Sequence, residues 1–189
     1  MALLKDHQET LMTGEELFRR PDLGPCELVN GRVVPLSPTG AEHADVELEL
    51  GTRLRLYGKE TGWGRAIGGE VGIYIRRHPD TVRAADIAFI SKERDIQSTK
   101  GYFEVAPELV VEVLSPNDSW SEVTEKLTDY FSAGVDCVWI VDPKLRCVFA
   151  YRSLTEVRQF REGEDLVDEE LLPGFHVAVK DLFLYDNPL

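Results

Sequence analysis

Residues 109–116 read Leu-Val-Val-Glu-Val-Leu-Ser-Pro, an apolar run that carries one carboxylate, Glu112, in its middle and is closed by Pro116. Five of the six residues before Ser115 are aliphatic, the composition of a strand covered on both faces, and the proline ends it. Side chains alternate along a strand, so Val110, Glu112 and Leu114 share one face while Leu109, Val111 and Val113 share the other. An ionised carboxylate in that setting is costly to desolvate unless a cation, a metal or several donors meet it. Glu112 therefore predicts a partner. On the plainest view it is an arginine, or solvent at the exposed carboxyl end of the strand; on the sharper view Glu112 belongs to a functional centre.

Outward from this stretch, Val82 to Ile90 predicts a preceding strand with a second lodged carboxylate, Asp86, just before the apolar run Ile87-Ala88-Phe89-Ile90. On the other side, Ser119 to Ala133 predicts a helix with Trp120, Val123, Leu127, Tyr130 and Phe131 as its apolar face and Gly134 as its natural terminator. Cys137 to Val141 is a further apolar strand. Reached through strand plus helix, it should lie parallel to the central one by a right-handed crossover.

Nearer the N-terminus, Thr13-Gly14-Glu15-Glu16 is a capping box with Met12 and Leu17 placed as its hydrophobic staple, and Pro21 ends that short helix. Asn30-Gly31 between Cys26–Val29 and Arg32–Leu36 predicts a tight hairpin. Ala41 to Lys59 reads as a helix with Val46, Leu50, Leu54 and Tyr57 on one stripe, and His43, Glu47 and Leu50 along the neighbouring line. Gly58 to Gly69 reads as a glycine-rich connector and Val71 to Ile75 as a strand. Ser91 to Ala106 reads as a polar surface excursion. Leu145 to Arg152 follows the Asp142-Pro143-Lys144 turn, and short strands are expected near Glu156–Arg161 and His176–Val179. The acidic segment Glu162 to Glu170 between them is read as a solvated loop.

The chain has 189 residues, which fits one domain spanning 1–189, and 43% hydrophobic and 29% charged residues, the balance of a soluble globular protein. Met1 to Thr10 already contains Lys5, Asp6 and Glu9 with no apolar targeting segment, so a cytoplasmic location is the default expectation. Cys26, Cys137 and Cys147 lack any C-x-x-C spacing, which indicates neither a disulfide framework nor a zinc site. A net charge of −13 repels a polyanion at long range, which counts against a simple nucleic-acid binder. It does not count against an enzyme that meets phosphates through metal ions.

Asp86 and Glu112 interrupt consecutive core strands, which brings two carboxylates within reach of one cation. Lys126 falls between Val123 and Tyr130, at the border of the apolar face, where its stem can cross apolar surface and present the ammonium at the sheet. The competing assignment is a surface lysine paired with Glu122 at i, i+4. Two oxygen ligands and a lysine are what metal-assisted phosphodiester hydrolysis requires: a hard cation such as Mg²⁺ takes one or two carboxylates and leaves room for water and phosphate oxygens.

Taken in order, Cys26-Glu27-Leu28-Val29-Asn30-Gly31, Ser37-Pro38 followed by His43, Asp86-Ile87-Ala88-Phe89, Pro107 to Pro116, Lys126 with Tyr130, Gly134-Val135, Trp139-Ile140-Val141-Asp142-Pro143 and Pro173-Gly174-Phe175 resemble the Uma-two family of bacterial putative restriction endonucleases, within the PD-(D/E)XK nuclease superfamily. The resemblance spans nearly the whole chain. It implies an α/β (α+β) restriction-endonuclease-like core, a mixed sheet flanked by helices in the order α-β-β-β-α-β, with an N-terminal helix and hairpin and C-terminal strands. It also implies Asp86 and Glu112 as the acidic, metal-holding pair, with Lys126 catalytic beside them. Two departures stand out: Ala85 occupies the usual proline position, and Leu114 the place two after the glutamate where the superfamily name puts lysine. The resemblance moves that lysine to Lys126, and offers Glu27 and His43 as supporting residues.

The function expected on this basis is a Mg²⁺- or Mn²⁺-dependent endonuclease acting on DNA, as a homodimer because a duplex has two strands to cut. A non-catalytic module of the same fold, serving partner binding or regulation, is the alternative, and hydrolysis of RNA or single strands is not separated from the first by sequence.

Overall fold

The computed structural model describes residues 11–97 and 101–183. The first ten residues, on which the targeting expectation rests, lie outside the described residues, as does part of the polar excursion after Ser91. The elements run α1 (Gly14–Phe18), β1 (Cys26–Val29), β2 (Arg32–Pro35), α2 (Ala41–Thr61), β3 (Gly64–Arg76), β4 (Thr81–Ser91), β5 (Leu109–Val113), α3 (Trp120–Ala133), β6 (Cys137–Asp142), β7 (Cys147–Tyr151), β8 (Val157–Arg161), β9 (Asp165–Val167) and β10 (His176–Ala178). From α2 to β6 this is the expected α-β-β-β-α-β order.

Local sequence explains most of the boundaries. The Thr13 hydroxyl accepts from the Glu16 amide while the Glu16 carboxylate accepts from the Thr13 amide, and Ser119 with Glu122 does the same at the start of α3. Asn30 and Gly31 sit at φ 51° and 76°, the left-handed pair that a two-residue hairpin between β1 and β2 needs. Gly62 and Gly134 end α2 and α3 in the same left-handed region.

The main sheet has the order β2-β1-β4-β5-β6-β7-β8, with β3 paired to β4. Pairs are antiparallel except β5 with β6, which run parallel with Glu112 beside Ile140, as expected of a strand–helix–strand crossover through α3. One feature of this topology positions everything else. β3 lies along nearly the whole of one edge of β4, so β1 and β5 share the other: β1 meets it at Leu28–Val82, and β5 at Ile87–Val111 through Phe89–Leu109. Between Val82 and Ile87 the sheet forks, and among the described residues no strand pairs with that edge of β4 there.

Two apolar layers cover the sheet. Val46, Leu50, Leu54 and Tyr57 of α2 pack with Ile87, Phe89, Leu109, Val111, Val113 and Trp139 on one face, joined there by Leu166, Phe175, Val177 and Leu182 from the C-terminal segment. Val123, Leu127 and Tyr130 of α3 pack with Val110, Val138 and Ile140 on the other. β5 is buried along its whole length, as its composition requires. Among the described residues no helix is long and apolar enough to cross a membrane.

Three expectations are corrected. Residues 64–69 are not connector but the first half of β3, with Gly64 to Gly68 laddered against Ser91 to Ile87; Gly64 permits close strand approach, since a Cβ on it would lie 2.3 Å from the Ile90 carbonyl oxygen. The acidic segment contains β9, whose Leu166 is fully buried and whose hairpin with β10 closes the α2-side core. Trp120 lies in line with the apolar face of α3 but is not buried by it: it is 57% exposed and touches Phe149 edge-on.

The fork is braced by buried charge. Arg83 of β4, 7% exposed at its side chain, donates from Nη1 to Glu27 of β1 at 2.8 Å and from Nε to Asp129 of α3 at 2.8 Å, and its Nη2 reaches Glu125 at 2.6 Å. Glu27 also accepts the Ala84 amide at 3.1 Å, a backbone donor that the missing strand leaves unpaired. Removing the cation strands two buried carboxylates. Arg83→Met is expected to lower unfolding stability by about 3–5 kcal/mol in urea titration, whereas Arg20→Met, which breaks the exposed Arg20–Asp22 pair, should leave the urea midpoint nearly unchanged. Equal effects from the two substitutions would contradict the bracing role.

Candidate functional site

The β4–β5 ladder ends at Ile87 and Val111, and continuing that antiparallel register by one residue sets Asp86 against Glu112. The strands part at that point. Instead of a ladder bond, the Asp86 carboxylate accepts the Val113 amide at 2.7 Å. Both expected acidic residues therefore stand at the mouth of the fork, 6% and 7% exposed, and each feels the other's charge.

The first turns of α2 close on Asp86 from one face. His43 Nε2 lies 3.2 Å from Asp86 Oδ2, so this carboxylate is met by an imidazole and a backbone donor. One α-helical turn on, Glu47 completes a group in which one donor atom each from His43, Glu47 and Asp86 all lie within 4.8 Å of one another. Burial disfavours a charged His43, yet the neighbouring Asp86 and Glu47 carboxylates outweigh it and hold its pKa above the ordinary value. Burial and then Asp86 push Glu47 up. His43 Nδ1 is buried with no hydrogen-bond partner among the described residues, so the ring keeps donor capacity beyond its contact with Asp86. A nitrogen and carboxylate oxygens at this spacing fit a divalent cation.

Glu112 looks the other way, toward α3. Its Oε2 accepts from Lys126 Nζ at 2.7 Å and its Oε1 from the Tyr130 hydroxyl. These are the partners that its place in the strand demanded. Burial pushes the Glu112 pKa up to about 7 and Asp86 repels its charge, against the pull of Lys126 and Tyr130. Burial would also strip Lys126 of its proton, but Glu112 and Glu27 overrule it and hold the lysine well above its usual value. Lys126 Nζ is 3.8 Å from Glu27 Oε1, so the brace of the fork also flanks the ammonium. Glu122, the surface partner considered for Lys126, is engaged in its capping box instead. Leu114 packs with the α3-side apolar layer, and the ammonium arrives from α3.

Asp86, Glu112, Lys126, Glu27 and His43 thus gather at one place, with two qualifications. Among the described residues the grouped metal-type donors are His43, Glu47 and Asp86, while both Glu112 oxygens face Lys126 and Tyr130. Glu47, Glu70, Arg83 and Tyr130 were not singled out as site residues from sequence. For Glu47 the signal was present, since it follows His43 at i, i+4 on one helix line. Glu70 has none that is local: β3 bulges between Gly68 and Val71, setting Gly69 and Glu70 against Asp86 alone, with Glu70 at φ 57°. Burial of the carboxyl and then the charge of Asp86 raise its pKa, although the residue as a whole is exposed.

Residues 15–180 match the Uma2 family, described as putative restriction endonucleases. The crystal structure of a putative nuclease from Anabaena variabilis ATCC 29413 superposes with a TM-score of 0.76 over 91% of this chain and 97% of that one, at 24% identity, a likeness of fold. No curated protein matches the chain. With a family match over nearly all of its length and the fold to go with it, the chain belongs to the Uma2 family of putative restriction endonucleases.

Proposed function

We propose that the protein is a metal-dependent endonuclease that hydrolyses phosphodiester bonds in DNA, with Mg²⁺ or Mn²⁺ as the cation. The observation that carries the reading is the convergence at one fork of Asp86, grouped with His43 and Glu47, and of Glu112, whose carboxylate holds Lys126 at 2.7 Å. His43, Glu47 and Asp86 are the residues that would hold the ion. When bound, such a cation lowers the pKa of its water and offsets charge that builds on the phosphate.

The remaining roles fall to the chain's own groups. Glu112, locked by Tyr130 on one oxygen, fixes the Lys126 ammonium with the other, and Glu27 flanks it from the opposite hairpin. Held charged and partly exposed, Lys126 can donate to a non-bridging phosphate oxygen or orient the attacking water. A homodimer would place two such sites on the two strands of a duplex.

Purified protein assayed on plasmid and short duplex DNA should cleave with Mg²⁺ or Mn²⁺ and bind with little turnover in Ca²⁺. Asp86→Asn and Glu112→Gln should abolish cleavage, and Lys126→Ala should lower turnover by roughly a hundred-fold or more. Cleavage that persists in Glu112→Gln prepared in parallel would reject the site. Absence of cleavage on any nucleic acid under any ion would favour a non-catalytic module of the same fold.

Metal binding is testable without turnover. At a cation concentration about a hundred times its Kd the wild type should gain roughly 2.7 kcal/mol of stability. Glu47→Gln and His43→Ala should lose most of that gain in a thermal-shift titration, and Lys126→Ala should keep it because lysine is no ligand. A full metal-induced shift in Glu47→Gln would exclude this group as the ion's seat.

A further inference from the structure

Beside the fork, between α1 and the bulged half of β3, lies a cavity of about 200 Å³ that the proposed chemistry does not use. Its walls include Glu70, which the β3 bulge sets against Asp86, and Arg83, which pairs with Glu27 beside Lys126, so the cavity adjoins the fork. Its other side is aromatic. Phe18 is 53% exposed and meets Tyr102 edge-to-face at 5.4 Å. Tyr102 packs closely on β3 because residue 72 is glycine: a Cβ there would sit 2.1 Å from the ring.

The chemistry of these walls selects a ligand class. The cavity is smaller than the roughly 300 Å³ at which drug-sized ligand sites begin, room for a single flat ring system. The Arg83 guanidinium is committed to Glu27, Asp129 and Glu125, and Arg20 to Asp22, so the site does not invite a phosphate. It offers ring surface, apolar floor from Leu17 and Val82, and one carboxylate, Glu70, that can accept from an exocyclic amino group or ring N–H. A neutral heterocycle with donors on its edge meets all three.

We infer that this cavity receives an unpaired nucleobase of the strand whose phosphate lies at the Asp86–Glu112 fork. The inference rests on the nuclease reading and adds a substrate class to it: DNA with an unpaired or extruded base next to the scissile bond. Stacking on the exposed Phe18 ring, with Tyr102 perpendicular beside it, supplies affinity without sequence information, and Glu70 biases it toward bases that carry a donor there.

The test compares two fluorescently labelled strands of equal length in Ca²⁺ by anisotropy, oligodeoxyadenylate and a fully abasic strand. They carry the same phosphates, so any difference in affinity belongs to the bases. Wild type should prefer the adenine strand about ten-fold or more, in line with roughly 1–3 kcal/mol per stacked base. Phe18→Ala, an exposed site that leaves the core intact, should erase most of that preference while sparing the abasic strand and the metal-induced thermal shift. Gly72→Ala, which displaces Tyr102, should act likewise, and Leu48→Ala, elsewhere on the surface, should change nothing. Equal binding of both strands by wild type, or a preference retained in Phe18→Ala, overturns the base site while plasmid cleavage leaves the nuclease reading standing. Failure of wild type to bind either strand, together with no cleavage, overturns both.

Discussion

Buried backbone groups must find partners, and on the edge of β4 between Val82 and Ile87 no strand among the described residues supplies them. Side chains fill the gap. Glu27 takes the Ala84 amide, and the Asp86 carboxylate takes the Val113 amide across the parting strands. Once carboxylates do the work of a ladder, cations must follow them inward, and Arg83 and Lys126 do so. The site is thus a consequence of the fork: an opening in the sheet through which α2 residues on one face and α3 residues on the other reach the same point. A continuous β1–β4–β5 sheet would bury Asp86 and Glu112 apart from His43, Glu47 and Lys126.

The fork also explains how the lysine can stand outside the strand. A side chain at position 114 continues the face of Val110 and Glu112, and Leu114 spends it on packing against the α3-side layer. Lys126 reaches Glu112 from α3 because it sits at the edge of that helix's buried stripe, between Val123 and Tyr130. Tyr130, one helical turn further on, holds the second oxygen of the same carboxylate. Two residues on one helix therefore fix one strand carboxylate, and the capping box at Ser119 anchors the start of that helix.

Much of this was legible in the sequence because the signals were local or periodic. Capping boxes, the Asn-Gly turn, the stripes of α2 and α3, and carboxylates lodged in apolar runs each declare themselves within a few residues, and they located Asp86, Glu112 and Lys126. What was not legible depends on pairing between distant segments. Gly64 read as part of a connector because only the approach of β4 makes glycine necessary there. The acidic segment read as solvated because one buried leucine, Leu166, is a weak signal beside so many charges. Arg83 and Asp129 are ordinary surface residue types until the fork brings them face to face.

The charge balance at the fork bears on what such a site needs before it can meet a phosphate. Glu70 feels the charges of Asp86, Glu47 and Glu27, and Glu112 that of Asp86, whereas the permanent cations drawn in among the described residues are Arg83 and Lys126. Arg83 is consumed by Glu27 and Asp129, and Lys126 is shared between Glu112 and Glu27. The net field is acidic, in a chain whose overall charge is −13. A polyanion approaching it gains little from long-range attraction and meets repulsion at short range. A divalent cation among His43, Glu47 and Asp86 would offset much of that charge locally, and it would also relieve the burial cost that raises Glu47. On the nuclease reading, metal dependence is then a requirement for substrate approach as well as for chemistry, because without the ion the phosphate and the carboxylates compete for the same small supply of positive charge.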